Sequence, residues 1–174
     1  MTENFINLSG ENTESSGFLN VFDKNITCAV TGHRRLEKKF DKYKLLSTLN
    51  QLIESGYSVF LTGMALGFDS ECFKALYYLK TKENKDVKII ACVPCRNQDK
   101  NFSPEKKTEY NEMLNRADKI VLLSENYTAY CMQKRNMFMV DNCSLLLAHL
   151  LKEKGGTANT VNYAINKGKK ILYI

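Results

Sequence analysis

Val59-Phe60-Leu61 runs directly into Thr62-Gly63-Met64-Ala65-Leu66-Gly67-Phe68-Asp69. A short apolar run, a glycine-punctuated loop, then Cys72, Phe73, Leu76 and Leu79 at helical spacing read as strand, tight turn and helix. The same order recurs on either side. Cys28-Ala29-Val30 leads into Thr31-Gly32-His33-Arg34, Ile89-Ile90-Ala91 into Cys92-Val93-Pro94, and Leu145-Leu146-Leu147 is followed shortly by Gly155-Gly156-Thr157. In an open parallel sheet the carboxyl ends of all strands share one edge, so these loops converge on one crevice. Small residues there let backbone N–H groups approach a ligand, and the following helices point their positive ends at it. That layout suits a nucleotide or phosphosugar.

Working outward, the pattern predicts strands over 26–30, 58–61, 87–92, 119–123, 144–149 and 170–174. Helices are expected over 41–55, 69–80, 104–117, 131–141 and 156–167, with Asp69 as a cap, Gly56 and Gly168 as terminators and Pro104 in a first turn. Strands alternating with helices of this length imply βαβ units: an α/β fold with a mostly parallel sheet flanked by helices in three layers. No linker divides residues 25–174, which form one expected domain. Residues 1–24 are polar through Asn20, with no apolar core of a secretory signal, and read as a flexible tail or a short docking arm.

The bulk numbers narrow the classes. The chain has 174 residues, 44% hydrophobic and 25% charged, as in an ordinary globular protein. No apolar run approaches the roughly 20 residues of a membrane span, and a cytoplasmic location without a membrane partner is expected. The net charge of +6 is spread over lysines such as Lys38, Lys80 and Lys85, the pattern of a solvated face rather than a nucleic-acid stripe. Of six cysteines, Cys92 and Cys95 form one CxxC, with no second pair and only His33 and His149 as histidines. No metal set is assembled, and the thiols read as small buried hydrophobes.

Candidate site residues follow from the strand ends. Gly155-Gly156-Thr157 offers consecutive N–H groups and a hydroxyl to phosphate; alternatively it is a tight turn. The Gly63–Gly67 loop lacks the Lys-Ser/Thr of a P-loop and the GxGxxG spacing. Asp69 beside it suits ribose hydroxyls. Arg34 can clamp phosphate, with His33 near it as donor or general acid. Arg135, Asn136 and Asp141 are placed on the crevice side of their helix.

Thr31-Gly32-His33-Arg34, Thr62-Gly63-Met64-Ala65-Leu66-Gly67-Phe68-Asp69, Arg135-Asn136-Met137-Phe138-Met139-Val140-Asp141 and Gly155-Gly156-Thr157 together resemble the YpsA-like group of the SLOG superfamily. That superfamily also holds the LOG phosphoribohydrolases and DprA-type proteins. The resemblance runs from about Asn25 onward. It implies a Rossmann-like fold that binds nucleotides or nucleotide-derived sugars such as ADP-ribose, through Thr31, Gly32, His33, Arg34, Gly63, Met64, Ala65, Gly67, Phe68, Asp69, Arg135, Asn136, Asp141, Gly155, Gly156 and Thr157. LOG enzymes cleave the N-glycosidic bond of nucleoside monophosphates with an arginine and a glutamate. Arg135 matches that arginine, but Thr160 stands at the glutamate position, and threonine cannot stabilise oxocarbenium charge. The expectation is therefore a binding, sensing or signalling module that pairs with itself or a protein partner. A divergent phosphoribohydrolase using Arg135 or His33 is the alternative, and a DprA-like single-strand binder the third.

Overall fold

The alternation becomes a seven-stranded sheet in a computed structural model that describes residues 4–10 and 21–174. The strands are β1 Phe5–Asn7, β2 Thr27–Gly32, β3 Val59–Thr62, β4 Lys88–Val93, β5 Lys119–Leu122, β6 Leu145–His149 and β7 Lys170–Tyr173. The helices are α1 Lys42–Glu54, α2 Phe68–Lys82, α3 Pro104–Arg116, α4 Cys131–Asp141 and α5 Gly156–Asn166. The order is β1-β5-β4-β3-β2-β6-β7, and every pairing is parallel.

Both faces are covered, which is why the strands read as apolar runs rather than alternations. Cys28, Val30, Phe60, Ile89, Leu145 and Leu147 point to one core with residues of α1, α2 and α3. Their neighbours Ala29, Leu61, Ile90, Cys92, Leu146 and Ala148 point to the other, under α4 and α5. All six cysteines are buried free thiols, Cys28, Cys72, Cys92 and Cys143 within these layers, and burial pushes the Cys92 thiol up to about 12.

Two expectations change. Part of the stretch read as a flexible tail is an edge strand: Phe5, Ile6 and Asn7 pair with Ile120, Val121 and Leu122, and buried Leu8 donates its N–H to Leu122 O at 2.8 Å. Three residues are too few for a periodic signal, and what orders them is the open edge of β5. The rest of the tail reading, at 1–3 and 11–20, lies outside the described residues. Second, α2 is capped by Gly67 at φ +81°, and Asp69 sits in its first turn without capping it.

The chain moves one way from β2 through β3, β4 and β5, then returns to place β6 on the other side of β2. The reversal lies between β2 and β6, and a crevice opens outside their carboxyl ends.

Candidate functional site

Gly32, last residue of β2, is in register with His149, last of β6. Beyond them the loops diverge and leave a cavity of about 470 Å³. Its walls come from the loop after β2 (His33, Arg34, Arg35), the loop after β3 (Ala65), the first turn of α2 (Asp69), α4 (Met132, Arg135, Asn136) and the start of α5 (Gly156, Thr157, Thr160), with Lys152 at the side.

Two glycines clamp the first two loops together. A Cβ on Gly67 would lie 2.5 Å from the carbonyl oxygens of both His33 and Arg34, and one on Gly32 would meet the Phe68 side chain. Phe68 donates its N–H to His33 O at 3.2 Å. Its ring stacks on His149, 5.4 Å between centroids, with Phe40 edge-on to both. The His149 imidazole, tied through Nδ1 to Ile174 O at 2.9 Å, thereby becomes part of the wall's support.

The floor is a buried polar network centred on Gly63. Its carbonyl accepts from the Arg135 guanidinium and from Gln98 Nε2 at 2.9 Å; Gln98 Oε1 accepts from Tyr110 Oη at 3.2 Å. Arg135 Nε also donates to Asn136 Oδ1 at 2.7 Å. A side chain at Gly63 would occupy the space of the Arg135 guanidinium and stand 2.7 Å from Asp69 Oδ2. Met64 takes φ +56° to let the chain turn here, a left-handed conformation that costs a non-glycine residue about 1–2 kcal/mol.

Among the described residues Asp69 is the only carboxylate in the cavity wall, set among His33, Arg34, Arg35, Arg135 and Lys152. It is 5% exposed, and its Oδ2 accepts the Ala65 N–H at 3.3 Å. Burial raises its pKa to about 6, against the opposing pull of Arg135 and two backbone N–H groups. His33 is held below the ordinary imidazole value by burial, by His149 and by Lys152, so at pH 7 it is neutral. Its Nε2, like that of His149, has no hydrogen-bond partner among the described residues.

Of the residues read from the sequence, Thr31, Gly32, His33, Arg34, Ala65, Asp69, Arg135, Asn136, Gly156 and Thr157 line the cavity. Gly63 and Met64 lie in the floor, Gly67 and Phe68 join loop to loop, and Gly155 at φ +106° caps α5 at the rim. Asp141 is not among the lining residues: it ends α4 and accepts from Tyr163 Oη at 3.0 Å, with Lys167 Nζ at 3.8 Å. Six residues beyond Arg135, it is about 9 Å further down a helix that runs away from the crevice. Lys152, Gln98 and Tyr110 were missed. The strand-end rule could have found Lys152, which follows β6, whereas nothing local marks Gln98 or Tyr110.

Among the described residues no three or more of His, Cys, Asp and Glu group to hold a metal ion, and no helix is long and apolar enough to cross a membrane.

This is the geometry of a doubly wound α/β protein with its cavity at the strand switch. The sequence profile of the YspA SLOG family (YpsA) matches residues 24–172, and the chain belongs to that family. The uncharacterized SPbeta prophage-derived protein YoqJ of Bacillus subtilis (strain 168) is 36% identical over 137 residues, covering 71% of this chain and 79% of YoqJ. Two solved structures share the fold. The DNA processing protein A (DprA) of Streptococcus pneumoniae superposes with a TM-score of 0.61 at 20% identity, over 86% of this chain. The DprA of Helicobacter pylori, which binds single-stranded DNA, gives 0.64 at 17% identity over the same share. This chain spans only 50% and 65% of those two proteins.

Proposed function

We propose that the cavity binds a nucleotide or nucleotide-derived ligand of the ADP-ribose type, and that the protein senses, sequesters or signals through it. The observation that carries this is the pairing of charges at the strand switch. Four cations (Arg34, Arg35, Arg135 and Lys152), the neutral His33 imidazole and the open N-terminal turn of α5 surround one buried carboxylate, so phosphate and ribose each find their partner. Phosphate lies on Gly156, Thr157 and Arg34, and ribose hydroxyls reach Asp69. The unpartnered His33 Nε2 supplies a further acceptor or donor for a ligand hydroxyl.

Binding without turnover is favoured by Thr160. Its hydroxyl donates to Gly156 O at 2.8 Å, so the position that would carry a catalytic glutamate holds a group satisfied by its own helix. Arg135 is likewise committed through Nε and Nη1 to Asn136 and Gly63.

The test is calorimetry and thermal shift on the full chain with AMP, ADP, NAD, ADP-ribose and cyclic ADP-ribose, with each ligand recovered afterwards by chromatography. A ligand at a hundred times its Kd adds about 2.7 kcal/mol of stability. Intact recovery and loss of the shift in Arg34→Ala are expected. No shift with any of these ligands, together with salt-sensitive retention of single-stranded DNA, would replace the reading with a DprA-like one.

One observation favours a second reading. A cavity carboxyl titrating at about 6 is a candidate acid. Protonated Asp69 would donate to the leaving base while water attacks the anomeric carbon, giving free base and a ribose phosphate. That reading requires base release from a nucleotide, abolished in Asp69→Asn.

A further inference from the structure

A second chamber, about 580 Å³, adjoins the first and shares Arg34, Ala65 and Met132 with it. The loop after β4 builds it, with Leu66 from the loop after β3 and Tyr127 from the loop after β5. We infer that this chamber is the base subsite of a two-headed ligand, a nucleoside diphosphate joined to a second sugar, whose phosphates pass Arg34 into the cavity already described. The inference rests on the proposed nucleotide reading and goes beyond it by naming which half of the ligand lies where.

The two chambers differ in chemistry. The first is rimmed by four cations, a neutral imidazole and a carboxylate, whereas among the described residues no carboxylate and only Arg34 and Lys100 as cations line the second. Its remaining walls are two aromatic rings, Phe102 and Tyr127, and the amides of Asn97, Gln98 and Asn101. Rings that offer a π-face and amides that offer both a donor and an acceptor are what an uncharged heterocycle requires. Phosphate has no reason to prefer this side.

The subsite is built rather than incidental. Phe102 is held edge-on by Tyr110, 5.7 Å between centroids, and Tyr110 in turn donates to Gln98. Gln98 donates to Gly63 O, the centre of the first cavity's floor. One buried chain of contacts therefore sets both chambers relative to each other. Three successive turns, Gln98 N to Cys95 O, Lys100 N to Asn97 O and Phe102 N to Asp99 O, fix the loop. Gln98 uses both ends of its amide in that support, whereas the Asn97 and Asn101 side chains have no partner among the described residues and remain available to a base edge.

Tyr127 is 69% exposed, so Tyr127→Ala leaves the fold in place. Titration calorimetry on the full chain, with ADP-ribose and ribose 5-phosphate as probes, gives the test. Tyr127→Ala should weaken ADP-ribose about tenfold, the loss that one stacked base carries, and leave ribose 5-phosphate unchanged. Asn101→Ala should narrow the preference for ADP-ribose over its uridine counterpart. Unchanged ADP-ribose affinity in Tyr127→Ala, with ribose 5-phosphate still bound, overturns the base subsite and leaves the phosphate cavity standing. Failure of both probes to bind the unaltered protein overturns the subsite and the nucleotide reading together. Loss of single-stranded DNA retention in Tyr127→Ala, with ADP-ribose affinity untouched, would assign the chamber to a strand instead.

Discussion

The two glycine loops, Gly63 to Gly67 and Gly155-Gly156, look alike in sequence and do opposite physical work. Every added atom in the first collides: at Gly63 with Arg135 and Asp69, at Gly67 with the carbonyls of the neighbouring loop. Nothing lies within 4 Å of a Cβ built on Gly155 or Gly156. Glycine in the first loop makes room for protein, and glycine in the second leaves room for something else. A glycine after a strand therefore marks where backbone and another group approach, without saying whether that group is a side chain or a ligand.

The contrast breaks most sharply at Gly63. Gly63→Ala displaces a buried guanidinium from its carbonyl and crowds a carboxylate, and should lower unfolding stability by about 3 kcal/mol or more in urea titration. A loss below 1 kcal/mol would show that the floor is plastic.

Asp69 sharpens the same point through pH. A carboxyl raised from its ordinary 3.8 to about 6 is ionised at a cost of about 3 kcal/mol at neutral pH. The folded form holds the proton more tightly, so this stabilisation is complete below pH 3.8 and fades as pH rises through 6. Thermal melts between pH 4 and 7 should show that decline in the unaltered protein and a flatter profile in Asp69→Asn. Equal slopes would place the titration elsewhere.

At Gly156 the expectation inverts. Gly156→Val should change stability by less than about 0.5 kcal/mol, as open surface positions do, and should abolish ADP-ribose binding. Unaltered affinity would remove the phosphate placement at α5.

The smallest effect belongs to Asp141. Asp141→Asn weakens a partly exposed bond from Tyr163 and a long contact with Lys167, about 1 kcal/mol, and should leave every ligand affinity unchanged. A fall in affinity would return Asp141 to the crevice.

Most of the site's edge was legible because strand order and loop position are local facts. His33, Arg34, Asp69 and Thr157 all fall in the loop or first helical turn that follows a strand, and a parallel sheet brings all such ends together. Asp141, read onto the crevice side of its helix with Arg135 and Asn136, ends α4 against Tyr163 and Lys167, partners that lie far along the chain and carry no local signal. Gln98 and Tyr110 escaped notice because their role exists only through Gly63, 35 residues before Gln98.

The sequence by itself determined the alternation of buried strands and amphipathic helices, their parallel sense and the edge on which the strand-end loops gather, because periodicity and turn chemistry act over neighbouring residues. Only the tertiary structure decided the rest. It placed the reversal between β2 and β6, gave Phe5–Asn7 its strand and made one glycine loop a floor while the other stayed open. Each of these depends on contacts between residues far apart in the chain, where packing in three dimensions settles which groups share a space.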